Sequence, residues 1–167
     1  QGTFAQDFLQ LPDFVLIECM KKHQRYFPLL DKNNKLTNHF LVVADNVTPT
    51  NKQTIINGNQ KVLTARLADA LFFYNSDIKH PLKQFSQKLA DLLFQKNCGS
   101  MLEKQDRIKS IFSYFVKTKF TPVKQADLTR LASLAKADLM TQMVFEFPSL
   151  QGKMGAIYAK LSGEPDT

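Results

Sequence analysis

The stretch Asn57-Gly-Asn-Gln-Lys-Val-Leu-Thr-Ala-Arg-Leu-Ala-Asp-Ala-Leu-Phe-Phe-Tyr74 is the one around which the chain is organised. From Gln60 onward, Val62, Leu63, Leu67, Ala70, Leu71 and Tyr74 recur at spacings of three and four, which predicts one strong amphipathic helix. Gly58 between two asparagines is the expected break before it, because glycine adopts backbone angles closed to other residues. Lys61, Arg66 and Asp69 stand off the apolar stripe, the last two at i,i+3 and able to pair. Either this is an ordinary solvated face, or Lys61 and Arg66 meet a polyanion.

Working outward towards the start, Gln1 to Gln10 shows no period and reads as an irregular lead-in. Pro12 suits a first helical position, and Val15, Leu16, Cys19 and Met20 continue a short helix ending in Lys21-Lys22-His23. Arg25 to Leu30 is β-like, with Pro28 arguing for an edge strand. Asp31-Lys-Asn-Asn34 is a turn, and Phe40-Leu-Val-Val-Ala44 is the best strand, apolar enough to be buried. A hairpin joins the two strands. Asp45 to Gln53 reads as a loop.

Past Tyr74, Asp77 to Pro81 breaks the chain, and Leu82, Phe85, Leu89, Leu92 and Leu93 share one face of a further helix. Lys96-Asn-Cys-Gly-Ser100 is the expected boundary between two units, 1–95 and 96–167. Beyond it, nothing resembles a strand. Ile108, Ile111, Phe112, Phe115 and Val116 predict a helix ending before Pro122. Leu128, Ala132, Ala135, Leu139 and Met143 predict a central one that Pro148 stops. Met154, Ile157, Tyr158 and Leu161 give a third, after Gly152. The fold class is therefore α+β, a small helix and strand-hairpin unit followed by an all-helical bundle.

Composition narrows the class further. A hydrophobic fraction of 44% and a charged fraction of 22% are those of a globular chain, and no apolar run reaches the ~20 residues that span a bilayer. The net charge of +7 permits nucleic-acid binding, but the excess is spread as +3 before residue 95 (11 basic, 8 acidic) and +4 after it (11 basic, 7 acidic). Cys19 and Cys98 are lone thiols of the kind found in a reducing cytoplasm. The chain opens on Gln1 without an initiator methionine or signal-peptide pattern, as expected of a segment of a longer protein.

Two constellations could carry chemistry. In Lys21-Lys22-His23-Gln24-Arg25-Tyr26-Phe27, basic residues alternate with aromatics, which can hold phosphates while a ring stacks on an unpaired base. The alternative is a helix C-terminus favoured by cations, leading into a strand whose aromatics face the core. Asp138 shares a helical stripe with Leu131, Leu134, Thr141 and Phe145, so burial is expected, with Arg107 as a salt-bridge partner. A metal-ligand role needs histidines nearby, and His23, His39 and His80 all lie outside the helical half. There is no phosphate-cradling glycine loop and no nucleophile elbow. Cys19 and His23 at i,i+4 lack a third orienting group.

Several blocks, in order, resemble the β subunit of the bacterial two-subunit glycyl-tRNA synthetase. They are Gly2-Thr-Phe4 with Phe8-Leu-Gln-Leu-Pro12, Met20 to Pro28, Phe40 to Ala44, Gly58 to Phe73 (the most specific), Gly99 to Ile108, and Asp138 to Gly152 with Met154-Gly155. The likeness covers the whole chain but an interior minority of that family's long subunit. It implies an ATP-using α2β2 enzyme of the cytoplasm that attaches glycine to tRNA(Gly), with adenylate chemistry on the α subunit and β engaging tRNA. This segment would carry no catalytic residue, metal or cofactor, and Lys21, Lys22, Arg25, Lys61 and Arg66 would be its phosphate contacts. The family's β subunit also resembles HD-type domains in its helical part. Here Ala137-Asp138 occupies the place of the His-Asp pair and the other HD histidines are missing, which speaks against a divergent HD phosphohydrolase. A pure subunit-contact module is the remaining alternative.

Overall fold

A computed structural model describes residues 1–22, 24–118 and 124–165, so His23 and Pro122 lie outside the described residues. The chain divides into two units, Gln1–Asn75 and Ser76–Thr167.

The first unit is a small antiparallel sheet packed on helices. Strand β1 (Gly2–Thr3) pairs with β3 (Leu36–Leu41), and β3 pairs with β2 (Phe27–Leu30), giving the order β1-β3-β2. The first ten residues are thus built in rather than irregular. Gly2 sits opposite Phe40, and a Cβ at Gly2 would lie 2.5 Å from that ring, so only glycine lets β1 lie flat there. A 3₁₀ turn over Gln6–Gln10 then buries Phe8. Helix α1 (Asp13–Lys21) buries Val15, Leu16, Cys19 and Met20. Pro28 lies on the edge strand, opposite Phe40, beside an irregularity in the pairing, as a residue without an N–H requires of its place in a sheet. The apolar run Phe40 to Ala44 is not a buried strand. Only Phe40 is buried, while Leu41 and Val43 are exposed, because one face of the sheet is covered and alternate residues face away.

Helix α2 (Lys52–Asp77) starts eight residues before the expected point and runs through Gly58. Its start is fixed by a reciprocal cap. The Thr48 amide donates to Asn51 Oδ1 and the Asn51 amide to Thr48 Oγ1. Within the first turns, Asn59 Nδ2 donates to the Ile55 carbonyl and Gln53 to Asn57, so the polar residues around Gly58 reinforce the helix. Leu63, Leu67 and Ala70 form the buried stripe, and Val62 is exposed. Two polar bonds register helix on sheet: Thr3 amide to Gln60 Oε1 at 3.0 Å, and Tyr26 hydroxyl to Asn59 Oδ1 at 2.6 Å.

The second unit is mostly helical but includes a short hairpin, β4 (Leu93–Gln95) with β5 (Gly99–Ser100). The expected boundary at 96–100 is the turn of this hairpin, with Asn97 and Gly99 at positive φ. The expected helix from Leu82 to Leu93 is shorter. Helix α3 spans Leu82–Gln87 and a 3₁₀ turn Lys88–Asp91, which leaves Leu93 on an exposed strand. Helix α4 (Met101–Lys117) begins at a capping box between Ser100 and Glu103. There the Ser100 amide, and then its hydroxyl, hold the Glu103 carboxyl below its ordinary range.

The expected single helix through Leu128 and Met143 is three pieces: α5 (Gln125–Leu134), a 3₁₀ turn Ala137–Met140, and α6 (Gln142–Glu146). Lys136 at φ 69° breaks the first join. The buried Gln105 amide donates to the Ser133 and Ala135 carbonyls at 3.0 and 2.8 Å, and Ser86 Oγ donates to Ser133 at 2.7 Å, satisfying the freed helix end. Helix α7 (Lys153–Leu161) follows Gly152.

Candidate nucleic-acid interface

The end of α1 and the start of β2 set the geometry of the basic-aromatic motif. Arg25 takes a left-handed conformation, φ 54°, and its amide donates to the Lys21 carbonyl while Tyr26 donates to Met20. The strand that follows separates the two aromatics by its alternation. Tyr26 turns in, stacks on Phe40 with ring centroids 4.9 Å apart, and is buried, which raises its hydroxyl pKa. Phe27 turns out and is 53% exposed, opposite Leu41 at 43%. The expectation that both rings face the core holds for Tyr26 only.

Lys21, Lys22 and Arg25 are exposed together at this corner, Lys22 lying 3.5 Å from Glu18 one turn back. Lys61 is exposed on α2, but two residues, about 200°, around the helix from buried Leu63, and so faces away from the core. Arg66 is half-buried beside α1. Burial raises the pKa of the Cys19 thiol, and the Arg66 charge offsets part of that rise while Glu18 and Asp69 add to it. The structure thus gathers Lys21, Lys22 and Arg25, and carries Lys61 and Arg66 on α2. Lys32 and Lys35, in the β2–β3 turn, are exposed at the far end of the hairpin. The motif reading missed them, although the sequence there is five cations (Lys21, Lys22, Arg25, Lys32, Lys35) against Asp31.

Asp138 and Arg107 do not meet. Arg107 is exposed, and its Nη2 donates to the Cys98 carbonyl at 3.1 Å; this corrects its assignment as a buried partner of Asp138. Asp138 is 3% exposed and caps α7, with Oδ2 accepting from the Gly152 and Gly155 amides at 2.5 and 3.2 Å. Asp77, which sequence reasoning passed over as part of a break, has the same task at longer range. Its Oδ1 accepts from Gln142 and its Oδ2 from Met143, capping α6, and Tyr158 Oη donates to it at 3.0 Å. Of the stripe neighbours proposed for Asp138, Leu131 and Phe145 are exposed, and Thr141 is buried with its hydroxyl donating to the Asp138 carbonyl at 2.6 Å.

This donor set does not fit the metal of an HD-type centre. The carboxylate at Asp138 is taken up by helix amides, its neighbour is Ala137, and among the described residues no group of three His, Cys, Asp or Glu could hold an ion. A cleft of about 460 Å³ adjoins Asp138, with an apolar floor including Leu131, Leu134, Ala156 and Ala159. The Arg130–Glu164 ion pair lies at its edge and raises the Arg130 pKa.

Fold and site together define a helix-rich α+β chain whose buried carboxylates hold helices in place and whose charged hairpin lies on the surface. The family model described as glycyl-tRNA synthetase beta subunit matches residues 1–167. The chain belongs to this family. It is 45% identical over 164 residues to a glycine–tRNA ligase beta subunit of Dictyoglomus turgidum, covering 98% of this chain and 24% of that protein. It is 46% identical over 166 residues to that of Lactobacillus acidophilus, and 45% over 166 residues to that of Neisseria meningitidis, in each case 99% of this chain and 24% of the relative. The chain thus spans about a quarter of the length of these relatives. No described helix is long and apolar enough to cross a membrane.

Proposed function

We propose that this chain is a noncatalytic, tRNA-engaging part of a glycine–tRNA ligase beta subunit that also supports the assembly. The observation that carries the reading is the match to that family along the entire chain. The use of both buried aspartates as helix caps supports it, because it leaves neither carboxylate for acid–base work or metal binding. The whole enzyme would use ATP in the cytoplasm, join glycine to tRNA(Gly), and pair this subunit with an alpha subunit as α2β2, with the adenylate chemistry on alpha. Lys21, Lys22 and Arg25 are the phosphate contacts at the hairpin corner, and Lys61 and the half-buried Arg66 add to them from α2.

The test is filter binding of cognate tRNA to the full-length subunit over a range of salt. Removing Lys21, Lys22 and Arg25 by alanine substitution is expected to weaken binding about tenfold or more at low salt. It should also flatten the log–log salt slope by roughly 0.9 per lost duplex phosphate contact. Affinity and slope equal to the parent would remove these residues from the reading. In the second unit, exposed Ile111, Tyr114 and Leu131 support a subunit contact there. Loss of alpha-subunit co-purification in Ile111→Glu, with tRNA affinity intact, would place that role on α4 and α5.

A further inference from the structure

The geometry points to an unpaired stretch of RNA, rather than a duplex, as what the β2–β3 hairpin of the first unit takes. This rests on the tRNA-engaging reading above and names the part of the nucleic acid involved. Three observations combine. The first is the ring. Phe27 is 53% exposed on an edge strand, although its neighbour Tyr26 and the cross-strand residue Phe40 fill the core face. Its partner across the strands, Leu41, is also exposed, so the ring stands on an uncovered apolar platform. Bases present an apolar π-face to such a ring only when they are splayed from a stack.

The second is the placement of charge. Lys21, Lys22 and Arg25 lie at the entry end of β2, and Lys32 and Lys35 at its exit. The strand between is four residues, about 13 Å at roughly 3.3 Å per residue. An apolar face flanked at both ends by cations fits a polyanion whose bases are apolar and whose backbone is charged. An uncharged protein surface would itself offer those cations no counter-charge.

The third is the fate of the nearby acids. Asp31, the acid inside the hairpin, accepts the Asn33 and Lys35 amides through Oδ1 and closes the turn. Glu18 lies 3.5 Å from Lys22. Asp31 is held in the framework of the turn and Glu18 beside Lys22 at the corner, and the cations at the turn and at Arg25 are exposed.

The experiment uses the full-length subunit and two probes: a short single-stranded RNA of mixed sequence, and the same RNA annealed to its complement. Phe27→Ala is expected to weaken the single strand about five- to a hundredfold, the range of one stacked base, with the salt slope unchanged. The duplex should be unaffected. Phe27→Trp should retain the affinity and Phe27→Leu should lose it, since stacking needs a ring and a merely apolar contact does not. Lys32→Ala with Lys35→Ala should flatten the single-strand slope by about 1.4, at roughly 0.7 per phosphate.

Equal losses on both probes, or full rescue by Phe27→Leu, would overturn the inference in favour of phosphate contact alone or of an apolar protein contact. Loss of alpha-subunit co-purification in Phe27→Ala, with RNA affinity intact, would overturn it in favour of a protein partner. Wild-type subunit that binds tRNA but not the single strand overturns the inference and leaves the broader reading standing. Wild-type subunit that binds no tRNA overturns both.

Discussion

Cys19 shows how far burial alone can retire a reactive group. Its thiol, on α1, is fully buried, and desolvation pushes its pKa from the ordinary 9.0 up to about 12, with the Arg66 charge offsetting part of the rise. Cys98, exposed in the β4–β5 turn, lacks that protection. At pH 8 a maleimide is therefore expected to label Cys98 and spare Cys19 until denaturant is added, and mass spectrometry after digestion reads both sites. The sign of the linked pH effect follows. Above 9.0 the unfolded thiol ionises while the folded one stays protonated to about 12, so this group's contribution makes stability fall as pH rises through that window. Cys19→Ser is expected to remove that slope. At this scale the sequence was legible where side chains meet their nearest neighbours: Val15, Leu16, Cys19 and Met20 are buried at their helical spacing. It was silent on Phe27, because Tyr26-Phe27 as a pair has no inside or outside until the strand's phase is set by Tyr26 stacking on Phe40. Asp77 was equally silent, since its partners Gln142, Met143 and Tyr158 lie 65 to 81 residues away.

At the scale of elements, Gly58 tests which signals govern a helix start. Glycine between asparagines reads as a break, yet α2 passes through it, its start set earlier by the Thr48–Asn51 cap. A Cβ built at Gly58 meets nothing within 4 Å, so no close approach or unusual backbone angle requires glycine. Gly58→Ala is expected to stabilise the protein by about 1 kcal/mol, the difference in helix propensity, with a rise in thermal midpoint of a few degrees. A lower midpoint would mean that the helix is held open here for a reason other than propensity. The converse error occurred between Leu128 and Met143, where unbroken periodicity masked two breaks. Apolar spacing reports which residues can share a face, and it carries no information about the left-handed turn at Lys136 or the distant donors Gln105 and Ser86 that make this break affordable. Short elements, α6 above all, exist because buried polar groups elsewhere complete their ends.

For the whole molecule, the position of the division between units follows from the same long-range bonds. Lys96-Asn-Cys-Gly-Ser100 has the composition of a linker and is a hairpin turn, because turn residues serve both and composition cannot separate a local reversal from a gap in packing. A segment beginning at residue 96 would lack Asp77, leaving the amides of Gln142 and Met143 and the Tyr158 hydroxyl without their acceptor. It would also lack Ser86 at the end of α5, the Leu82, Phe85 and Leu89 side chains of the core, and the strand that pairs with β5. Each stranded buried donor costs about 1–3 kcal/mol, and each large apolar side chain lost from the core about 2–5, against a total stability of about 5–15 for a domain. The losses exceed the reserve. A segment of residues 76–167 is therefore expected to show a helical circular dichroism spectrum and a cooperative melt, and one of residues 96–167 is expected to melt without cooperativity or to aggregate. Two cooperative transitions of equal midpoint would overturn this division, for they would mean that Asp77, Ser86 and the α3 core add nothing to the helices they cap and cover.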